Sequence, residues 1–176
     1  ACCFTSSSIK ASRSTHDMGT LPQLLEEDIQ RLDDVLREYL ERSDAATAMV
    51  IDKGGFLITN QGDARRFDLT TIAALASGAY LANQTIANLV HEENFDSVYQ
   101  QGEKYSMFVT NVDESCLLMV VFSSKVGVGM VKYHATEARK QIALQLQTAQ
   151  ERDPSAGLDL SVLNLADPSE LFKRKA

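Results

Sequence analysis

The sequence predicts an α+β sandwich: a five-stranded, mainly antiparallel sheet with helices on both faces, in the order α-β-β-α-β-β-β-α. Three observations carry this expectation. Three long stretches carry the apolar content and spacing of helices. Five short apolar runs surround the middle stretch, two before it and three after it. Short turns join successive runs, which makes neighbouring strands antiparallel. The 176 residues suit one domain with tails: a leader over 1–19, a domain over 20–152 and a tail over 153–176.

The first helix is expected over Pro22 to Arg42, where Leu25, Ile29, Leu32, Leu36 and Tyr39/Leu40 recur at helical spacing. Pro22 suits a first turn, and Glu26, Glu27 and Asp28 sit near the positive end of the dipole. Ala46 to Asp52 and Phe56 to Thr59 read as two strands around the turn Asp52-Lys53-Gly54-Gly55. Asn60 to Phe67 reads as a polar loop with Arg65-Arg66. Asp68 caps a second helix that runs to about Val90. Strands follow at Phe95 to Gln101, Tyr105 to Val112 and Cys116 to Phe122, the last apolar throughout, as expected at the centre of a sheet. Lys125 to Gln150 is mostly helical in its later part, with Met130, Val131, Tyr133, Ala138, Ile142, Leu144, Leu146 and Ala149 as its apolar positions. Pro154 and Gly157 end it. The tail, with Leu158 to Phe172, is apolar enough to form a short docking helix; disorder is the alternative.

Composition excludes several functions. A formal net charge of -7 argues against sequence-independent binding to nucleic acid. Three cysteines (Cys2, Cys3, Cys116) make no disulfide framework or metal spacing, and His16, His91 and His134 make no ligand cluster with them. The chain is therefore expected to be cytoplasmic and to hold no metal or cofactor. The leader has no apolar core, so it is not a secretory signal. Met18-Gly19 reads as a natural start, leaving the leader as an expression remnant or an upstream extension; a transit peptide is the alternative. No phosphate-binding Gly-x-x-x-x-Gly-Lys-Ser/Thr loop, nucleophile elbow or acid/base pair occurs, so no intrinsic enzymatic activity is expected.

The second helix is the informative element. From Leu69 to Val90 it contains no charged residue. One stripe, Ile72, Leu75, Ala79, Ala82, Ile86 and Leu89/Val90, is expected to face the sheet. The opposite stripe is small and neutral: Ala74, Ser77/Gly78, Leu81, Gln84/Thr85 and Asn88. A solvated helix would carry Lys and Glu there. Small neutral residues suit a second helix or protein packed closely against it. The alternatives are burial inside its own domain, for which a chain this size has little cover, and a membrane span, which Asn83, Gln84 and Asn88 disfavour.

The hairpin Val50-Ile51-Asp52-Lys53-Gly54-Gly55-Phe56-Leu57-Ile58 resembles the opening hairpin of the Roadblock/dynein light chain family. Leu75-Ala76-Ser77-Gly78-Ala79 resembles that family's central helix. Phe95 with Gly102, Leu118-Met119-Val120-Val121-Phe122 and Val128-Gly129-Met130-Val131-Lys132 resemble its later strands and the start of its last helix. The resemblance spans about Asp44 to Arg139 and is nearest to the bacterial MglB-like branch. One departure is Ser123, where the family often has an acidic residue.

The resemblance implies a Roadblock-type fold and a homodimer with central helices side by side and sheets joined at an edge strand. It places Gly78, Phe95, Val98 and Tyr99 at the dimer interface. It implies a platform for one Ras-like small GTPase of the MglA type, in a setting of cell polarity or gliding motility. The platform residues would be Ala74, Ser77, Leu81, Gln84, Thr85 and Asn88, unless some serve only the dimer contact. Regulation would reshape the GTPase's own switch loops without an inserted arginine. A non-catalytic scaffold and a small-molecule sensor are the competing roles. Arg65-Arg66 could supply an arginine in trans, though a solvated loop pair explains them as well. Lys132, His134, Arg139 and Lys140 could touch a partner or simply line a wet helix face.

Overall fold

Asp28 shows how the chain closes on itself. It is fully buried near the start of the first helix, and Arg152, beyond the end of the last, grips it with two nitrogens at 2.8 and 2.9 Å. The computed structural model describes residues 22–152. The leader and the proposed tail helix lie outside the described residues.

The elements are α1 (Glu26–Ser43), β1 (Thr47–Asp52), β2 (Leu57–Gly62), a 3-10 turn (Ala64–Arg66), α2 (Leu69–Leu89), β3 (Ser97–Gln100), β4 (Tyr105–Asn111), β5 (Cys116–Ser123) and α3 (Val128–Gln150). The five strands form one sheet in the order β2-β1-β5-β4-β3, with every pair antiparallel. This is the expected element order.

β1 and β5 lie at the centre, and alternation divides their side chains between two cores. Ala48, Val50, Leu118, Val120 and Phe122 face α1 and α3, which supply Leu32, Leu36, Tyr39, Val131, Ala135, Ala138, Ile142 and Leu146. Met49, Ile51, Leu117, Met119 and Val121 face α2, which supplies Leu69, Ala73, Ala76 and Tyr80. A strand covered on both sides needs apolar residues at consecutive positions, which explains the unbroken run in β5. Among the described residues, one face therefore carries two helices and the other α2 alone.

Several boundaries differ from the sequence reading for identifiable reasons. α1 starts at Glu26 rather than Pro22, because the Leu25 N–H donates to the Asp28 carboxylate at 2.8 Å and closes the helix there. β2 runs on to Gly62 through the expected loop, since Asn60, Gln61 and Gly62 pair with Met49, Ala48 and Thr47. An edge strand tolerates such polar residues. Met130, Tyr133 and Leu144 of α3 point to solvent rather than to the core.

Gly62 is required by this geometry. Its φ is +101°, and a Cβ there would lie 2.4 Å from the Ala46 carbonyl oxygen. Gly62→Ala is expected to destabilise the domain by about 2 kcal/mol, measured by urea unfolding.

Candidate protein-docking surface

α2 is held on the sheet by small residues and two polar tethers. Ala73, Ala76 and Ala87 are buried and let the helix lie close. Asp68 caps its start, accepting from the Thr71 N–H at 3.2 Å and the Thr71 hydroxyl at 2.7 Å. Those hydrogen bonds, the hydroxyl's first, hold the Asp68 carboxyl below its usual value. The Ser77 hydroxyl donates to the Lys53 carbonyl at 2.5 Å. The Tyr80 hydroxyl and the Gln84 amide donate to the Phe95 carbonyl at 3.2 and 3.0 Å. Burial pushes the Tyr80 phenol upward.

These contacts rotate the helix from its expected setting. Leu75, Ala82, Ile86 and Leu89 were expected against the sheet; all four lie on the exposed side. Leu75 is 68% exposed, Leu89 76%, Ile86 48% and Leu81 42%, so the outward face is more apolar than the sequence reading allows. Ser77 and Gln84 were expected on the outer face. Ser77 is buried and donates to the Lys53 carbonyl, and Gln84 is half-buried and shares the Phe95 carbonyl with Tyr80. Ala74, Leu81, Thr85 and Asn88 are exposed on that face.

Gly78 lies at the middle of the exposed face, and a Cβ there would meet nothing within 4 Å. The fold of one chain does not require a glycine at this position. Among the described residues β3 is an edge strand, paired only with β4. Its Val98 packs against the α2-side core, while Tyr99 stacks on Phe122 with ring centroids 6.1 Å apart. Phe95 is half-buried just before that strand. The site thus consists of a helix about 30 Å long, bare of ionised groups and rich in exposed aliphatic side chains. A patch of that kind suits contact with protein.

Arg65 is exposed on the 3-10 turn that precedes α2, while the other cationic candidates sit elsewhere or are occupied. Arg66 folds back to Asp63 at 2.5 Å and to the Tyr105 hydroxyl at 3.2 Å; the latter hydrogen bond raises its already high pKa. Lys132 lies over the Phe108 ring at 5.6 Å, and Arg139 pairs with Asp96 at 2.5 Å. Lys132, His134, Arg139 and Lys140 belong to α3, on the opposite side of the sheet from α2. A groove of about 280 Å³ beside Arg139, lined also by Asp96, Asn111 and Lys140, is open and mixed in character. Cys116 is fully buried, which pushes its thiol up to about 12 and leaves it unreactive. Among the described residues no three His, Cys, Asp or Glu side chains could hold a metal ion. No helix among them is long and apolar enough to cross a membrane.

Sequence reasoning missed Phe56, which stands 74% exposed at the hairpin beside α2. Its place directly after two glycines in a tight turn was the available signal.

The Roadblock/LC7 domain model matches residues 31–122. A solved MglB with tetrameric arrangement is 29% identical, with a TM-score of 0.69, covering 73% of this chain and 96% of that one. The gliding protein MglB from Thermus thermophilus is also 29% identical, with a TM-score of 0.68, covering 72% and 96%. Myxococcus xanthus MglB, at 24% identity and a TM-score of 0.68, shares the fold over 73% of this chain and 97% of its own. No curated protein sequence matches the chain.

Proposed function

This chain belongs to the Roadblock/LC7 domain family, and from that premise we propose that it is a homodimeric regulator of a Ras-like GTPase of the MglA type. The observation that carries the proposal is the outer face of α2, which has no ionised residue from Leu69 to Val90 and exposes Leu75, Leu81, Ile86 and Leu89. Two such helices side by side would cover part of each face and leave a continuous apolar platform for one GTPase.

The regulator needs no catalytic group of its own. Phosphoryl transfer depends on positioning and charge stabilisation around the γ-phosphate. A platform that binds the reactive arrangement of the GTPase's switch loops more tightly than the relaxed one shifts their population toward reaction. α2 has no arginine to insert, so the stabilising groups would be the GTPase's own.

GTP turnover by the MglA-type GTPase of the same organism tests this reading. Adding this chain in excess is expected to raise the rate at least about tenfold, equivalent to about 1.4 kcal/mol of barrier. Tight binding with an unchanged rate would instead assign it the role of a non-catalytic scaffold. Absence of binding would remove the proposal.

A further inference from the structure

The hairpin between β1 and β2 presents Phe56 on an unusually well-anchored turn. The Phe56 N–H donates to Asp52 Oδ1 at 2.7 Å, and the Phe56 carbonyl accepts from the Asp52 N–H at 2.9 Å. The Gly55 N–H donates to the Asp52 carbonyl at 3.0 Å. Lys53 is held from both sides: its N–H donates to the Ser115 carbonyl at 2.8 Å, and its carbonyl accepts from Ser77 of α2. Gly55, at φ +92°, lies so close to α2 that a Cβ there would be 2.9 Å from the Ala74 Cα. The turn is therefore fixed to the helix, and it displays a phenyl ring to water.

A ring held in this way has already lost the backbone freedom that binding would otherwise remove, and this favours an anchoring role. The turn that carries the ring abuts α2 at Ala74, through Gly55. Asp52 places one carboxylate within the same turn, bonded to the Phe56 N–H. We propose that Phe56 is an aromatic anchor for the GTPase that docks on α2, filling an apolar recess on that partner. This inference rests on the GTPase-binding reading and adds a second contact region to it.

Affinity for the GTP-bound MglA-type GTPase of the same organism tests the anchor, measured with the wild-type chain, Phe56→Ser and Phe56→Tyr. Phe56→Ser is expected to bind at least about 30-fold more weakly, the loss typical of an anchoring side chain. Phe56→Tyr keeps the ring and should bind within about threefold of wild type. Native mass spectra and melting curves should match across the three. Equal binding by Phe56→Ser, beside a wild type that binds, overturns the anchor and leaves the GTPase reading standing. Loss of the dimer in Phe56→Ser would place the ring in a contact between copies and overturn it as well. A wild-type chain that fails to bind the GTPase removes both.

Discussion

Arg152→Ala is expected to destabilise the domain by about 3 kcal/mol, the scale for stranding a buried charge. Asp28 is fully buried, and its carboxylate accepts from Arg152, from Gln145 at 2.8 Å and from the Leu25 N–H at 2.8 Å. The Arg152 hydrogen bonds are the main reason its pKa falls from 3.8 to about 2, against the opposing effect of burial. The depressed value means that the folded state binds this proton less readily than the unfolded state. Its contribution, about 2 kcal/mol, is therefore fully present above pH 3.8 and is lost as pH falls through about 2. Without Arg152 the carboxyl's folded pKa rises, so the variant protonates earlier on acidification. The stability gap between wild type and variant should be largest near neutral pH and close toward pH 2. Urea unfolding of both proteins across that range measures it. A gap independent of pH would mean that Arg152 acts through packing alone.

Leu81→Arg is expected to weaken GTPase binding at least about 100-fold while leaving the unfolding free energy within about 0.5 kcal/mol of wild type. Leu81 is 42% exposed on the outer face of α2, so the fold itself can turn a longer side chain to solvent. In a complex the same guanidinium would be trapped against an apolar surface with no carboxylate on α2 to pair it. Titration of labelled GTPase with the variant gives the affinity, and urea unfolding gives the stability. Undiminished affinity would remove Leu81 from the platform.

The fold was legible because period and punctuation agree along most of the chain. Asp52-Lys53-Gly54-Gly55 marks a hairpin, and the unbroken run from Cys116 to Phe122 is what a strand between two cores requires. The setting of α2 was not legible, because apolar residues occur on all its sides and no stripe stands out. Its rotation is decided by partners far along the chain, the Lys53 and Phe95 carbonyls, which draw Ser77, Tyr80 and Gln84 inward. Asp28 was read as an acid complementing a helix dipole, and its role as the centre of a buried network depends on Arg152, 124 residues away. The exposed Leu75, Ile86 and Leu89 emerged only once the helix was placed on the sheet. What the sequence did carry was the absence of ionised groups on α2, which holds whichever way the helix turns.

Sedimentation equilibrium of the wild-type chain tests most directly whether other polypeptides cover that helix. A particle of twice the 19.4 kDa chain mass is expected when it is alone, and a heavier complex when the GTP-bound MglA-type GTPase is added. A 19.4 kDa particle at high concentration, unchanged by the GTPase, would leave Leu75, Leu81, Ile86 and Leu89 facing water and contradict the account.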